Sequence, residues 1–207
     1  MPLFELALRL VEITTAFFMS CPEISCRRRP GLSGPAENPS ECKIDATAVL
    51  FSNICQYMFY GCTSLKKAPA LPSMNLSGNC YSNMFMGCTS LTDVPESLPA
   101  TKLYERCYAS MFYGCTSLQK APKLPAETLV NSCYGSMFQN CSSLTEVWLY
   151  AKTNLSGGSG GLSMYTFDGC PSTGVTAHVP SVSVKVIKNC SYQPDWTYVD
   201  IETGEPL

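Results

Sequence analysis

The chain has 207 residues, with 14 basic and 16 acidic side chains and a formal net charge of −2. That balance leaves no basic patch large enough to neutralise several phosphates, which excludes nucleic acid as a partner. Hydrophobic residues make up 45% of the chain and mean hydropathy is +0.04, values that fit a folded chain with a core and not a disordered one.

In chain order, the first segment runs from Leu3 to Met19. It is largely apolar, but Glu5, Arg9 and Glu12 interrupt it at helical spacing. That pattern predicts an amphipathic helix. A secretory leader would carry an uncharged apolar stretch, and a membrane span would be longer and cleaner. The only basic run, Arg27-Arg28-Arg29, lies in a Pro/Gly-rich stretch and reads as a solvated linker. Residues 1–44 are therefore set apart as an N-terminal amphipathic segment and linker.

The octapeptide Met-Phe-x-Gly-Cys-Thr-Ser-Leu then occurs three times, from Met58, Met84 and Met111, and a worn copy, MFQNCSSL, starts at Met137. Its cysteines, Cys62, Cys88, Cys115 and Cys141, stand 26, 27 and 26 residues apart. A fixed period of this size marks a solenoid whose repeats pack only on their neighbours. Four to five repeats are expected over residues 45–180, with an insertion at 150–163 and a C-terminal cap over 181–207.

Within each repeat a leucine (Leu50, Leu76, Leu103, Leu129) lies eight residues before the Met. Apolar residues then recur at i, i+4, i+8 and i+9, a helical or 3₁₀ spacing. Gly61, Gly87 and Gly114 are placed where a left-handed residue closes the turn, and Asn140, the next-best occupant, replaces glycine in the fourth copy. A short extended segment, Leu-x-x-Ala/Val, follows and is predicted to end at the prolines beyond it, such as Pro69 and Pro122. Phe59, Phe85, Phe112, Phe138 and Phe167 are predicted to form one interior ladder, and Cys62, Cys88, Cys115, Cys141 and Cys170 another.

There are 13 cysteines. No pair of Cys-x₂₋₄-Cys knuckles is present, which argues against zinc. Two readings remain for the repeat cysteines: small buried hydrophobes in the reduced form, which is preferred, or a disulfide within each repeat, as between Cys80 and Cys88. Ile54 replaces the first partner in the opening copy and weighs against the disulfide.

Catalytic chemistry finds little support. His178 is the sole histidine and lies in an alternating strand pattern, Val175 to Val179, which suits a surface or edge position. The acidic residues are scattered without a glycosidase-like pair. The run Gly157-Gly158-Ser159-Gly160-Gly161 lacks the Lys-Ser/Thr of a phosphate loop and reads as a flexible insertion.

At these residues the chain resembles the BspA-like leucine-rich repeats. MFYGCTSLKKAPALP and MFMGCTSLTDVPESLP carry the resemblance, and Val179-Pro180, Ser183-Val184, Lys188, Trp196 and Tyr198 resemble the segment that closes such arrays. The resemblance implies an α/β fold: a right-handed leucine-rich-repeat solenoid with short parallel strands and 3₁₀ or short-helix turns. It also implies a non-enzymatic, secreted or surface-displayed binding protein without a cofactor or a membrane span, whose ligand is a protein or glycan of a host matrix or of another cell surface. A structural or spacer array without a ligand is the alternative. The candidate contact residues are the outward strand positions Lys66, Lys67, Thr92, Asp93, Gln119, Lys120, Thr145 and Glu146. A rival aromatic row on the turn side, Tyr81, Tyr108 and Tyr134, would serve if it were exposed.

Overall fold

A computed structural model describes residues 52–53, 55–155, 160–191 and 195–207. The segment predicted over 1–44, with Leu50, Ile54 and residues 156–159, lies outside the described residues.

Each repeat opens on a ribbon of tight turns. In the second repeat Asn79, Asn83 and Gly87 have φ of 55, 56 and 77°. The same left-handed backbone recurs at Asn53, Tyr57 and Gly61, at Arg106, Ser110 and Gly114, and at Ser132, Ser136 and Asn140. The chain thus turns back every four residues. Ser82, Met84, Met86 and Cys88 donate their N–H groups three residues back, to Asn79, Tyr81, Asn83 and Phe85. The intervening N–H groups leave the repeat: Tyr81, Asn83, Phe85 and Gly87 donate to the carbonyls of Cys107, Ala109, Met111 and Tyr113 in the next one.

This corrects the predicted helical turn. The three-residue bonds are present, but a left-handed residue interrupts them before a helix can propagate. Among the described residues the only helical elements are Ser181–Ser183 and α1, Val184–Ser191. The four-residue period accounts for the apolar spacing equally well, because each turn buries its central pair. Cys80-Tyr81 and Met84-Phe85, Cys107-Tyr108 and Met111-Phe112, and Cys133-Tyr134 and Met137-Phe138 are all buried.

Glycine and asparagine occupy the left-handed positions cheaply, but Arg106, at φ 52°, does not. Arg106→Gly is expected to stabilise the protein by about 0.5–1 kcal/mol, since relief of the left-handed penalty outweighs the added entropy of the unfolded chain. A lowered denaturation midpoint would contradict the geometry assigned to this turn.

The buried pairs stack on their equivalents. Phe59, Phe85, Phe112, Phe138 and Phe167 form a continuous ladder with centroids 5.3–5.7 Å apart and planes within 8°. Tyr81, Tyr108 and Tyr134 form a second, at 5.7 and 6.0 Å. The Tyr81 hydroxyl is buried and has no hydrogen-bond partner among the described residues. An orphaned buried hydroxyl costs about 1–3 kcal/mol, so Tyr81→Phe is expected to leave stability unchanged or raise the thermal midpoint.

Beyond the turns, the extended segments pair in parallel. Single bridges join Lys67 to Asp93 and Lys120 to Glu146. The pairing widens into a three-stranded parallel sheet, β1 (Glu146–Trp148), β2 (Thr176–Val179) and β3 (Thr197–Asp200). In register, Glu146 lies beside Thr176 and Trp148 beside His178. The prolines do not end the pairing as predicted. They interrupt it, and bridges resume past them at Ser97 to Lys123, Leu124 to Leu149 and Thr128 to Thr153.

The described end of the glycine-rich run is a second correction. Gly160 and Gly161 are buried members of the stack, their carbonyls accepting the N–H groups of Ser132 and Tyr134. At the C-terminal end Trp196 meets the edge of Phe167, with centroids 5.2 Å apart, and its Nε1 donates to the Pro171 carbonyl at 2.8 Å. Past β3 the chain folds back, and the Leu207 N–H bonds the Tyr198 carbonyl at 2.9 Å.

Candidate functional site

The outward face of the parallel segments is a surface to which several repeats contribute. In β1, Val147 is buried while Glu146 and Trp148 point outward. In β2, Ala177 and Val179 are buried while Thr176 and His178 share the outer face. Strand alternation therefore aligns equivalent side chains in columns that run across the repeats.

One column carries Lys67, Asp93, Lys120 and Glu146. Lys67 Nζ lies 2.8 Å from Asp93 Oδ2, and Lys120 Nζ lies 2.7 Å from Glu146 Oε2. The hydrogen bond from Lys120 holds the Glu146 carboxyl below the usual carboxylate range. The neighbouring positions behave differently. Thr92 and Thr145 turn their hydroxyls to the carbonyls of Lys66 and Gln119, at 3.3 and 3.0 Å. Lys66 is exposed and has no ion-pair partner among the described residues.

A further column was not singled out from the sequence. Lys123 Nζ lies 2.9 Å from Glu96 Oε1 and 5.4 Å from the Trp148 ring centroid. Trp148 stacks on His178 with centroids 3.6 Å apart, and His178 Nε2 lies 3.5 Å from Glu146 Oε1. The signal was available: Lys123 follows Leu118 just past Pro122, and Trp148 continues the alternation from Glu146 in a copy that no proline interrupts. His178 lies on the sheet face as expected, but packed between neighbours and not as a free edge side chain.

The rival aromatic row fails as a surface. Tyr81, Tyr108 and Tyr134 are 0, 1 and 1% exposed, because they are the inward residues of their turns. Their rings are core, and burial raises their hydroxyl pKa values.

The thiols are also interior. Cys55, Cys80, Cys88, Cys107, Cys115, Cys133, Cys141 and Cys170 are free and buried, so the bond between Cys80 and Cys88 is not formed. Cys62, by contrast, is disulfide-bonded. Four thiols, Cys88, Cys115, Cys141 and Cys170, donate to phenylalanine carbonyls of the preceding repeat at 3.0–3.2 Å. Desolvation pushes Cys80 and Cys133 up to about 11, and Cys55, Cys88 and Cys170 to about 12. The native state thus holds its thiol protons more tightly than the unfolded chain does. The resulting stabilisation is complete below the unfolded thiol pKa of about 8.5 and is lost as pH rises through the folded values. Stability should be flat to about pH 8 and fall from about pH 9 towards 12. Thiol-reagent titration should find these eight cysteines unreactive until denaturant is added; rapid native labelling would contradict their burial.

Among the described residues no group of three His, Cys, Asp or Glu is placed to hold a metal, and no helix is long and apolar enough to cross a membrane.

Stacked short repeats with parallel pairing along one side define the class: a repeat protein of the leucine-rich kind. A family model for the BspA type leucine rich repeat region matches in six copies across residues 40–195, and the chain belongs to that family. Comparisons with curated proteins and with solved structures return no match.

Proposed function

We propose that this chain is a non-enzymatic binding module in which residues 45–180 form a right-handed solenoid and residues 181–207 its cap. It would act from a secreted or surface-displayed position on a protein or glycan ligand of a host matrix or another cell. The observation that carries the reading is the outward sheet face, where parallel bridges join Lys67 to Asp93 and Lys120 to Glu146, with Lys66, Thr92, Gln119 and Thr145 at the neighbouring positions. A ligand laid across it meets several repeats at once. Each contact is weak, and repetition supplies the affinity. The core pairs are nearly invariant across the copies while these outer positions vary, as a recognition surface requires.

The intramolecular pairing of Lys67 with Asp93 and of Lys120 with Glu146 favours the alternative, a spacer array whose face is satisfied by itself. The two readings separate in a binding screen against matrix proteins and glycans, followed by the combined Lys66→Glu, Lys67→Glu and Lys120→Glu variant. These side chains are exposed, so the variant should fold and lose binding at least about tenfold. Unchanged binding would move the site off this face, and no binding by the wild type would leave the spacer reading standing.

A further inference from the structure

The charges on the sheet face follow a rule that no single repeat needs. From one repeat to the next the column reads Lys67, Asp93, Lys120, Glu146, alternating in sign at every step. Parallel bridges at Lys67 to Asp93 and at Lys120 to Glu146 fix the register of the outer steps. The next column repeats the opposition on the two middle repeats, with Glu96 and Lys123. The charges are only partly used within the chain: Lys67, Asp93, Lys120 and Glu96 keep 63, 54, 75 and 84% of their side-chain surface in solvent, and Lys123 and Glu146 keep 38 and 25%.

An alternating column with an even number of members is its own complement when reversed. Two such faces can meet about a two-fold axis that lies between them and parallel to the strands. That operation preserves strand direction, reverses the stack and lays each column on its own counterpart. Lys67 then faces the partner's Glu146, Asp93 faces the partner's Lys120, and Glu96 faces the partner's Lys123, each contact occurring twice because the interface is isologous. A slip of one repeat places Asp93 on the partner's Asp93 and Lys67 on the partner's Lys120. The alternation therefore selects one register and penalises its neighbours, the way charge patterning specifies a partner.

We propose that the partner of this face is a second copy of the chain, docked face to face with the stacks antiparallel. This rests on the reading of the sheet face as the binding surface and supplies its ligand: contact between two molecules displaying the same module.

Sedimentation of the full chain over a concentration series, at low and at high salt, should show a dimer that weakens as salt rises. Asp93→Lys and Lys120→Asp each place like charges opposite each other, and each alone should dimerise at least about tenfold more weakly. Mixed in equal amounts, the two variants should pair with each other at close to wild-type strength, since each reversal then meets its complement across the interface. Within either chain the same reversals break an ion pair, so recovery on mixing cannot arise from folding. Thermal melting of each variant establishes that both are folded.

A wild type that stays monomeric to about 1 mM overturns the proposal, as do variants that dimerise like the wild type or a mixture that stays monomeric. If a monomeric wild type still binds a matrix protein or glycan, the binding-module reading survives and only this inference falls. Dimerisation with recovery on mixing, but without any foreign ligand, supports the inference and removes the foreign-ligand reading.

Discussion

Replacing Phe112 by alanine is expected to lower stability by about 3–5 kcal/mol, a large share of the roughly 5–15 kcal/mol typical of a folded domain. The ring is 0% exposed and lies between Phe85 at 5.6 Å and Phe138 at 5.7 Å, so its removal opens a cavity that neither neighbour can fill without leaving its own repeat. Each repeat rests only on its neighbours, so a gap in the middle of the ladder weakens both halves. Lys120→Ala, at a side chain 75% exposed, should change stability by less than about 0.5 kcal/mol. Urea midpoints decide the matter. If Lys120→Ala proves the more damaging of the two, the inward and outward faces have been interchanged.

Gly161→Val should be at least as severe. A Cβ at this position would lie 2.3 Å from Leu129 Cβ, 2.7 Å from its Cδ1 and 2.9 Å from Cys133 Sγ. The nearest of these atoms is attached directly to backbone and cannot swing away. Relief requires the chain to move, which strains the bonds from Ser132 to the Gly160 carbonyl and from Tyr134 to the Gly161 carbonyl, both 2.9 Å. Overpacking of this kind costs typically about 1–3 kcal/mol and more where backbone must shift, so failure to fold is the expected result. Gly114→Ala offers the contrast. Its φ is +71°, but the new Cβ would meet nothing closer than the Gly87 Cα at 3.8 Å. Only the left-handed penalty of about 1–2 kcal/mol remains. Equal losses in the two variants would mean that crowding at Gly161 has been misjudged.

The stacking of the repeats was legible because it depends on identity at a fixed period. Every phenylalanine of the octapeptide entered one ladder, and Gly61, Gly87, Gly114 and Asn140 all adopt positive φ. The turns were misread for a physical reason. A two-in, two-out pattern of period four resembles a helical stripe over ten residues, and the residues that decide between them, Tyr57, Arg106, Ser110 and Ser132, are not types that announce left-handed backbone. Gly161 was misread because glycines in an apparent insertion suggest freedom, whereas it is glycine for want of room. On the sheet face, Lys67, Asp93, Lys120 and Glu146 were legible as positions that vary between the leucine and the Ala/Val of each repeat. Glu96 and Lys123 were missed because pairing was assumed to stop at the prolines, and Trp148, which no proline precedes in its repeat, because only the two positions after the leucine were considered.

The direction of the bonds between repeats gives the stack a polarity. The N–H of Cys55 donates to the Cys80 carbonyl, and the N–H on the far side of that same peptide group, at Tyr81, donates to Cys107; Tyr108 then donates to Cys133, and Tyr134 to Gly161. Parallel series run from Tyr57, Phe59 and Gly61. Each is a wire of aligned amides in which every bond polarises the next. The peptide dipoles add along the stack with the sense opposite to that of an α-helix: carbonyl oxygens face the N-terminal end, hydrogens the C-terminal end. The two ends of the array therefore require unlike neighbours, hydrogen-bond donors or cations at the first and acceptors at the last. The series run on past the fourth repeat, where Ser136 donates to the Ser163 hydroxyl and Asn140 to the Asp168 carbonyl.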